Sequence, residues 1–72
     1  MIGRALGIDE IFEFSITPVA NGEFRLDIRY FGGKEHNITG AGIWQDVQKA
    51  QEVATTIADK QLSGAIITWT ED

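Results

Sequence analysis

The chain has no cysteine, a single histidine and a single proline, and only six basic residues against eleven acidic ones. Without cysteine there is no disulfide and no thiolate nucleophile. One imidazole cannot assemble a zinc-ligand set. The missing thiols fit a reducing cytoplasm. A net charge of −5 works against binding to phosphate backbones and anionic membranes. Arg25 and Arg29 form no basic stripe, because Asp27 is interleaved with them. Long apolar runs are also missing. Met1 to Ile11 is broken by Gly3, Arg4, Gly7, Asp9 and Glu10. It lacks the roughly 7–15-residue apolar core of a signal peptide, and no stretch approaches a membrane span. Residues 1–72 therefore read as one domain, with 1–9 as a flexible or partner-contacting arm. A core this small needs a staple or a partner subunit, and without cysteine or metal ligands oligomerisation is the remaining route.

What is present is strong patterning. Two alternating segments, about Glu10–Val19 and Glu23–Phe31, flank Ala20-Asn21-Gly22. A two-residue turn would set Phe14 against Arg29 and Ile16 against Asp27, so neither face could be buried. A three-residue loop pairs Val19 with Glu23 and then Phe12 with Tyr30, Phe14 with Ile28, Ile16 with Leu26 and Pro18 with Phe24. The other face then pairs Glu13 with Arg29, Ser15 with Asp27 and Thr17 with Arg25. A type I turn closed by a left-handed Gly22 provides that register. By the same reasoning a Gly32-Gly33-Lys34 loop pairs Tyr30 with His36 and Ile28 with Ile38, giving a short third strand before Gly40-Ala41-Gly42.

Val47, Ala50, Val53, Ala54, Ile57, Ala58, Gln61 and Leu62 follow helical spacing and predict an amphipathic helix over about 45–62. Asp46 and Lys60 suit its dipole, and Gly64 suits its stop. Ala65 to Thr70 alternates as a last strand. The expected fold is α+β: a three-stranded antiparallel meander, the helix packed on it, and the final strand (about 65–70) beside the first strand. That gives sheet order 4-1-2-3 and a single β-β-β-α-β domain. Ile11, Val19, Phe31 and Ile66 remain on the second face. They, or the arm with Leu6, are the expected interface with another copy.

Candidate chemistry is sparse. His36 with Tyr30 and Trp44 could line a ligand cleft, but Glu35 alternates away from His36, and a structural edge-strand histidine is the simpler reading. Ser15 and Ser63 lack a nucleophile elbow. Gly40-Ala41-Gly42 lacks both the third dinucleotide glycine and a Walker lysine. Asp9-Glu10 and Glu71-Asp72 lack calcium-loop spacing. Trp44 and Trp69 suit the ends of a small core. No catalytic residue, metal or cofactor is expected.

Trp44, the run Val47-Lys49-Ala50-Val53-Ala54, Gly64-Ala65 and Ile67-Trp69 together resemble small bacterial domains of unknown function with strand-strand-strand-helix-strand order. The hairpin-then-helix order is also similar to the partner-binding domain of some antitoxins of toxin–antitoxin pairs. Those carry an appended DNA-binding segment, and none is read before Asp72. Such likeness implies fold rather than chemistry. The expectation is a non-catalytic cytoplasmic interaction module acting as a homo-oligomer, a homodimer in the simplest case. It has an unidentified protein partner as an option and no nucleic-acid or membrane partner. The alternative is a small-ligand binding protein using the His36, Tyr30 and Trp44 cleft.

Overall fold

A computed structural model describes residues 1–32, 35–62 and 64–71; of Glu35, His36 and Asn37 it describes the backbone. The strands are β1 (Ile2–Gly7), β2 (Glu10–Pro18), β3 (Phe24–Gly32), β4 (Glu35–Trp44) and β5 (Thr68–Thr70), with one helix, α1 (Val47–Gln61), between β4 and β5. All pairings are antiparallel, and the sheet order is β4-β3-β2-β1-β5.

The central hairpin has the register required by burying one face. Phe12 pairs with Tyr30, Phe14 with Ile28, Ile16 with Leu26 and Pro18 with Phe24. Val19 N–H donates to the Glu23 carbonyl at 2.9 Å, closing a three-residue loop. The loop is not the expected type I turn, since Asn21 (φ 64°) as well as Gly22 (φ 69°) is left-handed. Asparagine is among the few residues that accept this conformation.

The expected order 4-1-2-3 and three-stranded meander are overturned. Residues 2–7 form a strand of the sheet, and it lies between β2 and β5. β5 does run in the same direction as β2, but it pairs with β1, and it is confined to Thr68–Thr70. The physical reason lies in close packing. Gly3 and Ala5 occupy the helix-facing side of β1, and a Cβ on Gly3 would lie 2.6 Å from the Trp69 ring and 2.7 Å from Ile67. The glycine that reads as a strand breaker marks the place where Trp69 settles on the backbone.

The β3–β4 register is also corrected. Tyr30 pairs with Asn37 and Ile28 with Thr39, not with His36 and Ile38. The intervening Gly33 and Lys34 lie outside the described residues. A bulge follows, with a register shift between Arg25 and Asp27 and Gly42 at φ 101°, and it sets Trp44 opposite Phe24. This correction turns Ile38 onto the open face beside Arg29.

Helix α1 begins at Val47, two residues after the expected start at about 45. Asp46 is its N-cap, accepting a 2.7 Å hydrogen bond from Lys49 N–H. Ala50, Ala54 and Ala58 recur every four residues and are fully buried. Their small side chains bring the helix axis down onto Phe14 and Leu26, the largest fully buried side chains. Val47, Val53, Ile57 and Leu62 flank this stripe, partly buried against the core. Among the described residues no helix is long and apolar enough to cross a membrane.

Candidate functional site

The helix covers one side of the sheet, and strand alternation sends Ile2, Arg4 and Leu6 of β1 to the other. Cross-strand pairing then aligns side chains into rows on this open face. One row is Leu6–Ile11–Phe31, contiguous over three strands. The next is Thr68–Arg4–Glu13–Arg29–Ile38, and beyond it runs Thr70–Ile2–Ser15–Asp27–Gly40. The apolar members are well exposed: Leu6 69%, Ile11 40%, Phe31 37%, Ile38 61% and Ile66 84%. Ile66 shares with Leu6 and Arg4 a shallow depression of about 320 Å³.

Charges of both signs interrupt the apolar rows. Arg4 Nε donates to Glu13 Oε2 at 3.0 Å, and Arg29 approaches the other Glu13 oxygen at 3.9 Å. Glu13 is thus held between two guanidinium groups from the strands on either side. The Glu13–Arg29 pair follows from the hairpin register, whereas Arg4 enters only because residues 2–7 are a strand. Arg25 Nε donates to Asp27 Oδ2 at 2.9 Å along the same strand. All three arginines of the chain lie on this face, against Glu13 and Asp27 in its rows and Asp9 beside Leu6, Ile11 and Phe31.

The candidate interface residues fall into two places. Leu6, Ile11 and Phe31 share one row and Ile66 lies beside it, but Val19, half-buried, follows the far end of β2 by the Asn21 turn. The candidate ligand residues are not brought together. His36 pairs with Phe31 rather than Tyr30. Trp44 lies eight residues further along β4, roughly 25 Å away at strand spacing. Its indole N–H donates to the Ala41 carbonyl at 3.2 Å, and it lines a cleft with Glu23, Gln45 and Lys49. Tyr30 is on the helix side, donating its hydroxyl to Glu10 Oε1 at 2.9 Å. Trp69 packs on Phe14, with ring centroids 6.5 Å apart.

Ser15 stands opposite Asp27 with no histidine in their row, and Ser63 lies outside the described residues. Asp72 lies outside them too. Among the described residues no three His, Cys, Asp or Glu side chains cluster closely enough to hold a metal ion. Sequence reasoning missed Ile38 on the open face and Glu10 on the helix-facing side. Glu10 was detectable, since it shares its face with Phe12, Phe14 and Ile16 and interrupts their apolar alternation.

No family model, curated protein or solved structure matches this chain. The likeness to small bacterial domains, resting on Trp44 and the helix pattern, gains no support from those comparisons.

Proposed function

We propose that this chain is a non-catalytic interaction module that works as a homo-oligomer, with the open sheet face of one copy covering that of another. The carrying observation is the exposure of Leu6, Ile11 and Phe31 in one row, with Ile66 beside it and Ile38 on the next row, on a small acidic chain. A five-stranded sheet at about 4.8 Å spacing, with strands of up to ten residues, presents roughly 500–600 Å² in projection. Side-chain relief brings the accessible area to the order of the 800 Å² per partner that a standard interface buries. Two-fold symmetry needs a self-complementary surface. Here apolar rows can meet apolar rows, and Glu13 and Asp27 can meet the arginines of the other copy. Cytoplasmic placement belongs to the same proposal and rests on the absence of cysteine.

Size-exclusion chromatography with light scattering tests the reading at tens of micromolar. The expected mass is about twice the 8.0 kDa of one chain. Phe31→Glu, which buries a charge in the proposed interface, should return it to the monomer. A monomeric mass for the unaltered chain at about 100 µM sinks the proposal.

A further inference from the structure

On the helix side, away from the open face, a cleft of about 340 Å³ lies between α1 and the sheet. Phe12, Ile28 and Ile57 form its apolar walls, and Glu10, Tyr30 and Gln61 its polar end. Its size falls at the lower limit for small-molecule sites, which pair apolar walls with a few convergent polar groups. Glu10 is the anomaly. The helix-facing positions that follow it on β2 are Phe12, Phe14 and Ile16, all buried. Its cross-strand neighbours on both sides, Gly7 and Gly32, have no side chain. A Cβ on Gly32 would overlap the Tyr30 hydroxyl, and one on Gly7 would sit 2.7 Å from Leu62 and 3.4 Å from Glu10 Oε2. Gly32 thus leaves room for the phenol to lean over the backbone to the carboxylate, and Gly7 leaves room for Leu62 beside it.

The Tyr30 hydrogen bond fixes Glu10 Oε1 and leaves Oε2 able to accept another. Among the described residues, no Lys or Arg lines the cleft. The rings of Phe12 and Tyr30 lie 4.9 Å apart at its wall. A half-buried carboxylate beside aromatic rings is matched by a cation that carries hydrogen-bond donors and an apolar tail.

We propose that this cleft binds a small organic ammonium, the nitrogen on Glu10 and the tail along Phe12, Ile28 and Ile57. The proposal is independent of the homo-oligomer, because it uses the opposite side of the sheet. The test is an amide-shift titration of the full chain with n-hexylammonium chloride to about 10 mM, since seven heavy atoms in a shallow cleft give affinities on the order of 1 mM. Saturable shifts centred on Phe12, Ile28 and Ile57 are expected, with weaker binding of hexanol and none of hexanoate. Glu10→Gln keeps the shape and an acceptor for Tyr30, and should weaken hexylammonium about tenfold or more. Equal affinity for hexanol, no saturable shift, or unchanged affinity in Glu10→Gln overturns the proposal. The hexylammonium–hexanol comparison uses only the unaltered chain, so it decides the matter even if the variant fails to fold.

Discussion

Replacing Gly3 by alanine adds one methyl group on an interior strand, and the structure specifies what it meets. The new Cβ would lie 2.6 and 2.7 Å from two Trp69 ring atoms and 2.7 Å from Ile67 Cγ2. Real contacts of this kind do not occur below about 3.0 Å, so the indole or the whole of β5 must move. Trp69 cannot swing freely, because it also packs on Phe14. Overpacking of this type costs about 1–3 kcal/mol, while removing a glycine from a strand returns roughly 0.5–1 kcal/mol. With the cost in the middle to upper part of its range, as three contacts below 3.0 Å imply, the expected net loss is about 1–2 kcal/mol. For a chain of this length the unfolding entropy near 60 °C makes 1 kcal/mol about 6–7 °C, so Tm should fall by about 6–14 °C. Gly40→Ala is the matched control, since its nearest new neighbour is Asp27 Oδ1 at 3.9 Å. It should leave Tm unchanged or slightly raised. Thermal unfolding followed by circular dichroism compares the two variants directly. Equal Tm values for Gly3→Ala and Gly40→Ala would refute the packing of Trp69 over β1, and with it the argument for why this glycine is found in a strand. A cycle with Trp69→Leu adds a second check: the Gly3→Ala penalty should shrink when the indole is absent.

Asp46→Ala removes the side-chain acceptor for Lys49 N–H and should cost about 1 kcal/mol, read as a Tm drop near 6–7 °C. Glu13→Gln weakens the contacts to both Arg4 and Arg29 and should cost about 0.2–1 kcal/mol. That loss should shrink in about 1 M salt, because the pairs are partly exposed and screened; a salt-independent loss in denaturant titrations would assign it to packing instead.

The extent to which the fold is legible in sequence follows from how side-chain size reports on burial. The β2–β3 hairpin is readable because its helix-facing positions are large (Phe12, Phe14, Ile16, Leu26, Ile28, Tyr30), and only one register gathers them. Helix α1 is readable from the same kind of periodicity. β1 inverts the rule. Its covered side is Gly3 and Ala5, because Trp69 and Ile67 supply the volume, while Ile2 and Leu6 point the other way. β4 fails differently: the pairing of Gly32 with Glu35 moves its register by one and turns Ile38 outward, and the bulge at Gly42 changes the alternation again further on. The site inherits these errors. Ile11 and Phe31 share a face once the hairpin is known, but Leu6 joins them only through β1, and Tyr30 parts from His36 when the β4 register moves by one.

The position of β1 between β2 and β5 has a consequence in time. Its two neighbours are made at well-separated times: β2 follows it immediately, but Thr70 bonds back to Ile2 across a separation of 68 residues. Until Thr68–Thr70 has left the ribosome, the strand that ends up interior is an edge. It then presents bare backbone donors and acceptors with Ile2 and Leu6 alongside, the arrangement that invites pairing with another chain. Three residues made after α1 therefore close this side of the sheet, and the nascent chain is most exposed to misassembly in the interval before they arrive.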